Sequence, residues 1–138
     1  MQKKCFFVLV AVLVLAVSSF VVAGEFKVYP GAKLDERATN DASELAKQAN
    51  MGSELKVYTT DDAFDMVASF YKGIGTEYKM PSGPTKGPQC AFILFDEEKD
   101  LSTSKLWAKI QRPAWELYKE DIKEMKLRDI TVIILVEK

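Results

Sequence analysis

The chain predicts an α+β fold: a mainly antiparallel four-stranded sheet with one principal amphipathic helix packed on one face, plus short peripheral helices. Three stretches predict it. Leu55, Val57 and Thr59 alternate with Lys56, Tyr58 and Thr60 at the period of a half-buried strand. Ala63, Phe64, Met66, Val67, Ala68, Phe70, Tyr71 and Ile74 then share one broad face at about 100° per residue, with Asp62, Asp65, Ser69 and Lys72 opposite. Ile130 to Val136 is an almost unbroken β-branched run with Leu135, the composition of an internal strand.

At the start, Lys3 and Lys4 precede an apolar run from Cys5 to Val17, and Val21, Val22 and Ala23 supply the small residues that an export peptidase cuts after. Residues 1–23 read as a Sec-type signal peptide, which places the mature protein in the periplasm or outside the cell. The competing reading is an uncleaved anchor, since the run approaches the roughly 20 residues that span a bilayer. Cys5 stands before the apolar core, the wrong place for a lipoprotein cysteine. Cleavage after Ala23 removes 23 of 138 residues and leaves 115, residues 24–138, enough for a single domain.

Phe26, Val28 and Tyr29 predict a short edge strand, closed by a type II turn at Tyr29-Pro30-Gly31. From Thr39 to Asn50, Ala42, Leu45, Ala46 and Ala49 recur at helical spacing; Asp41 with Glu44 suits a capping box and Gly52 a C-terminal cap. An alanine stripe buries little, so this helix is expected at the surface. The strand over 54–60 leads into the main helix over 61–74, with Thr60 as N-cap and Asp61 and Asp62 against the positive end of the helix dipole. Met80 to Pro88 holds three prolines and two glycines and reads as a connection.

Residues 89–95 are apolar and predict a strand buried on both faces. Asp96 to Asp100 is a solvated acidic turn that lacks the spaced oxygens and turn glycine of a calcium loop. Leu106, Ala108 and Ile110 alternate with Lys105, Trp107, Lys109 and Gln111, which predicts a strand over 105–111, with a helix capped by Ser102 as its competitor. Beyond Pro113, Trp115, Tyr118, Ile122 and Met125 fall at helical spacing; a helix and an irregular segment that tucks in Trp115 and Tyr118 are both open. A last strand covers 129–136.

Composition narrows function. The chain has no histidine, which removes the commonest general base and zinc ligand. Loss of Lys3 and Lys4 leaves 17 basic residues of the original 19 against 20 acidic, a net charge of −3 without a basic block, so nucleic acid and anionic lipid are poor partners. A membrane enters only if the N-terminal segment is retained. After cleavage Cys90 is the sole cysteine, no internal disulfide forms, and a buried inert thiol is its plain reading beside a reactive or intermolecular one. The Gly-Lys-Ser/Thr order of a phosphate loop is missing. No cofactor is expected.

Tyr29-Pro30-Gly31-Ala32-Lys33, Val57-Tyr58-Thr59-Thr60-Asp61-Asp62 before Phe64, Ser69-Phe70-Tyr71-Lys72, Ser104-Lys105-Leu106-Trp107 and Ile110-Gln111-Arg112-Pro113 together resemble a group of small uncharacterised exported bacterial proteins. The resemblance covers most of the mature chain. It implies export and a strand at Lys105 to Gln111, and it carries no activity, substrate or catalytic residue.

The tight polar group Tyr58 to Asp62 with Asp65 suits helix capping, and a carboxylate pair dividing acid and base roles is the alternative. Trp107, Arg112, Trp115 and Tyr118 are the candidate ligand- or partner-binding residues, because aromatic and arginine side chains are favoured at interface centres; core and edge packing is the other account of them. A non-catalytic binding or accessory module for a protein or small ligand is therefore expected first, a histidine-independent enzyme using carboxylates second, and a membrane-anchored structural subunit third.

Overall fold

The structure of the chain is a computed structural model that describes residues 25–81, 83 and 87–138. The expected signal peptide, residues 1–23, lies outside the described residues. Among those described, no helix is long and apolar enough to cross a membrane.

The architecture is α+β with an antiparallel sheet. Strands β1 (Lys33–Leu34), β2 (Glu54–Thr60), β3 (Thr76–Tyr78), β4 (Gln89–Leu94), β5 (Leu106–Arg112) and β8 (Thr131–Glu137) form it in the order β1-β2-β8-β5-β4-β3. β6 (Ala114–Trp115) and β7 (Leu127–Arg128) form a separate two-stranded ribbon. The helices are α1 (Glu36–Gln48), α2 (Phe64–Lys72) and α3 (Lys119–Glu124). The sheet thus has six strands where four were expected. β1 and β3, of two and three residues, are too short to carry a periodic signal.

Nor does one helix dominate. α2 spans nine residues and α1 thirteen. Because strand side chains alternate, the sheet has two apolar faces. On the front, Ile93, Phe95, Ala108, Ile110 and Ile133 pack against Val67 and Tyr71 of α2 and against Tyr29. On the back, Val57 and Val132 pack against Ala38 of α1 and against Ala114 and Leu117. Each large side chain fully buried in this way contributes roughly 1.5–3 kcal/mol, and both faces draw on it.

The segment read as an edge strand is not in the sheet. Its rings enter the front core instead: Phe26 stacks on Tyr71 at 5.6 Å and meets Phe95 edge-on, and Tyr29 meets Phe70 edge-on. The turn after it forms as expected, with Gly31 at φ 87° and the Ala32 amide donating to the Tyr29 carbonyl at 2.9 Å.

α1 starts earlier than its alanine spacing suggests. Asp35 caps it, its Oδ1 accepting from the Ala38 amide at 2.9 Å, so Asp41 and Glu44 form no capping box. Those two carboxylates hold Lys119 instead, through its backbone amide and its ammonium respectively. Asn50, left-handed at φ 54°, ends the helix in the place expected of Gly52. The helix also completes a strand edge. Where β1 stops, the Val57 amide donates to Thr39 Oγ1 at 2.9 Å and the Val57 carbonyl accepts from the Asp35 amide at 2.8 Å.

α2 begins at Phe64, three residues later than expected, with Ala63 as an N-cap that makes no side-chain bond. Thr60 Oγ1 accepts from the Asp62 amide within the preceding turn. Met66, expected on the buried face, is 57% exposed because the short helix turns only Val67, Ala68 and Tyr71 fully inward.

No helix runs from Pro113 to Met125. The ribbon and α3 occupy that stretch, and Ile122 and Met125 are exposed while Asp121 is buried. An ion pair of Asp121 with Arg128, at 2.7 Å, outweighs the apolar spacing there.

Candidate functional site

α1 and the ribbon cover the back of β2 and β8. The register shows what lies beyond them. Val57 pairs with Ile134, Ile134 with Lys109, Lys109 with Phe92 and Phe92 with Tyr78, so five side chains form one row across the back of five strands. Val57 is buried in the back core and Ile134 packs at its margin. Lys109, Phe92 and Tyr78 continue the row past that cover, each half-buried.

Over this end of the sheet is a concave pocket of about 510 Å³, within the size range of small-ligand sites. Phe92, Tyr78, Met80 and Ala91 give it apolar walls, and Cys90 and Lys109 line it with them. Phe92 also packs on Trp107, ring centroids 6.1 Å apart. The Trp107 indole N–H is buried without an acceptor among the described residues.

Among the described residues, the charges around the pocket do not balance. Glu77 at its rim pairs with Lys72 at 3.4 Å. Lys109 and Lys79 also line it, and neither has a carboxylate partner among the described residues. Burial pushes the Cys90 thiol above its ordinary range, and the Lys109 charge opposes this only in part. A thiol so held is a poor nucleophile at neutral pH.

The four residues expected to form one patch are distributed by the fold. Trp107 lies on the back face beside the pocket, at the opposite end of β5 from Arg112. Five steps separate them, about 17 Å along a strand and an odd number, which sets their side chains on opposite faces. Arg112 is a clamp. Its guanidinium donates to the carbonyls of Asp61, Asp62 and Asp129 and to Thr131 Oγ1, at 3.0–3.2 Å, and pairs with the Asp129 carboxylate.

Tyr118 is likewise engaged internally. Its hydroxyl donates to Asp35 Oδ2 at 2.6 Å, and the guanidinium carbons of Arg37 and Arg128 lie 4.4 and 4.7 Å from its ring centre. Arg37 pairs with Glu120 and Arg128 with Asp121, so both cations are balanced. Trp115, in β6, is 42% exposed.

Asp62, before the start of α2, serves docking rather than capping. Asp62 Oδ2 accepts from the Tyr29 hydroxyl at 2.7 Å, and the Asp62 carbonyl accepts from Thr131 Oγ1 at 2.6 Å. Among the acidic turn residues, Asp96 closes the β4–β5 connection. Burial would raise its pKa, but bonds from the Lys105 amide, the Ser104 hydroxyl and the Glu98 and Leu106 amides outweigh burial and hold the carboxyl below its ordinary range. Among the described residues, no group of three or more acidic or cysteine side chains is placed to hold a metal ion.

Sequence reasoning missed Tyr78, Met80, Phe92 and Lys109. The available signal was Lys109, a cation set two residues from Trp107 on the polar side of an alternating strand. Strand β4, expected to be buried on both faces, is buried at Ala91, Ile93 and Leu94 but only half-buried at Cys90 and Phe92, which face the pocket. No protein-family model, curated protein or solved structure matches the chain.

Proposed function

We propose that this chain is a small exported, non-catalytic binding module whose ligand occupies the pocket on the back of β3, β4 and β5. The observation that carries the reading is the row Val57–Ile134–Lys109–Phe92–Tyr78. An apolar sheet face normally lies under a second layer, and here the layer ends part-way along the row, leaving half-buried rings around a concavity. Glu77, the one carboxylate lining the pocket among the described residues, is tied to Lys72, which suits binding better than acid–base chemistry. Export rests on Lys3, Lys4 and the apolar run that follows them.

The test uses Trp107 as reporter. In a Trp115→Phe variant, Trp107 is the remaining tryptophan, and its contact with Phe92 makes its emission sensitive to occupancy. Titration with the neutral apolar probe N-phenyl-naphthylamine is expected to quench or shift that emission saturably, and Phe92→Ala to weaken binding roughly tenfold. Saturable binding of neither this probe nor its sulfonate analogue, or binding indifferent to Phe92→Ala in a folded variant, overturns the reading. Mass spectrometry of the exported protein tests localisation: a mature start near Gly24 is expected, and a retained leader favours the anchored alternative.

A further inference from the structure

We infer that the ligand of this pocket is an apolar anion, an aromatic or aliphatic body with one acidic group, and that Lys109 holds the acidic end. The inference rests on the binding reading above and goes further by naming the ligand's charge. Three observations lead to it.

Lys109 occupies the middle of the row, with Ile134 on one side and Phe92 on the other, so both cross-strand neighbours on its face are apolar. Two residues away along β5, the side chains on the same face are Trp107 and Gln111, again without a carboxylate. The Lys109 side chain is therefore half-buried with no opposite charge among its described neighbours. A half-buried cation beside apolar walls gains most from an anion that brings its own apolar surface, because one binding event pairs the charge and removes both surfaces from water.

The rim supports the same sign. Lys79 adds a second cation, and the rim carboxylate of Glu77 is already paired with Lys72. A neutral ligand would leave Lys109 unpaired and more deeply desolvated, and a cationic ligand would add repulsion. The pocket volume of about 510 Å³ admits one small molecule of this kind.

Two probes that differ by one sulfonate group test this on the full chain: anilinonaphthalene sulfonate and its neutral counterpart N-phenyl-naphthylamine. The sulfonate is expected to bind roughly tenfold more tightly than the amine. Lys109→Gln should abolish that preference, chiefly by weakening the sulfonate, and Lys109→Arg should preserve it. Equal affinities for the two probes, or a preference that survives Lys109→Gln, overturn the charge assignment and leave the pocket reading intact. A preference lost in Lys79→Gln but kept in Lys109→Gln overturns the assignment to Lys109. Saturable binding of neither probe overturns both readings. The urea midpoint of each variant separates a lost contact from a lost fold.

Discussion

The Tyr29 hydroxyl donates to Asp62 Oδ2 at 2.7 Å, tying the first described segment to the turn between β2 and α2. The Tyr29 amide in turn donates to the Tyr71 hydroxyl at 3.0 Å. These two bonds place Tyr29 over the front core and explain why an irregular segment belongs to the fold. Tyr29→Phe is expected to lower the melting temperature by roughly 5 °C. Asp62→Asn should act largely through the same bond, so a double-mutant cycle should show clear coupling. Additive effects would mean that the pair is incidental.

Arg112 satisfies three carbonyls from two different loops. Arg112→Ala leaves the Asp61 and Asp129 carbonyls without that donor, and urea unfolding should show a loss of about 2 kcal/mol. Arg112→Lys is expected to recover part of it, because one ammonium cannot span the same fork of acceptors. Probe affinity at the pocket should stay unchanged in both variants, since Arg112 lies at the other end of β5.

Gly75 carries a steric prediction. A Cβ there would lie 2.5 Å from Ile93 Cγ2 and 2.8 Å from the Leu94 carbonyl oxygen, and the second of these is backbone held in the β3–β4 ladder. Gly75→Ala should destabilise the domain by about 1–3 kcal/mol, measured as a shift in the urea midpoint. Gly52, with open space around its Cβ position, should tolerate alanine with little change.

Stability should plateau from about pH 5 to about pH 9 and fall on both sides. On the acid side, bonds from Arg128 hold the Asp121 carboxyl below its ordinary range, and Asp96 is lowered as well. A lowered carboxyl stabilises the fold fully above the unfolded value of about 3.9 and loses that contribution as pH drops through the folded value. Asp121→Asn should cost about 2 kcal/mol at neutral pH and flatten the acid limb. On the alkaline side, hydrogen bonds to Asp62 and Asp35 raise the Tyr29 and Tyr118 hydroxyls, and burial raises that of Tyr71. Their contributions are complete below about pH 10 and are lost as pH rises through the folded values. Urea midpoints measured across pH check both limbs.

Cys90 offers an independent readout of the pocket. Its raised pKa predicts slow alkylation by neutral iodoacetamide at pH 7, accelerating only in the alkaline range. Bound probe should slow the reaction further, because the thiol lines the pocket. Equal rates with and without saturating probe would place the probe elsewhere.

Periodic stretches were legible and tertiary bonds were not. β2, β4, β5 and β8 stand within two residues of the expected bounds, because each is long enough for alternation or an apolar run to register. The stretch after Pro113 misled because Trp115, Ile122 and Met125 carry a helical spacing that the fold does not bury. There the buried group is Asp121, which burial alone would penalise and Arg128 makes tolerable, a partner seven residues away that no periodicity announces.

The candidate site shows the same division. The residue types at Trp107, Arg112, Trp115 and Tyr118 are those that favour interfaces, yet the fold uses Arg112 and Tyr118 as internal clamps and leaves Trp107 beside a pocket made by others.

The sequence by itself determined the α+β class, the four long strands and the lack of histidine chemistry, since all of these follow from local pattern and composition. Only the tertiary structure decided how far the described layer covers the back of the sheet and that Lys109, Phe92 and Tyr78 stand side by side beyond it. That row joins residues of three strands through antiparallel register, and register is set by which faces the rest of the chain buries.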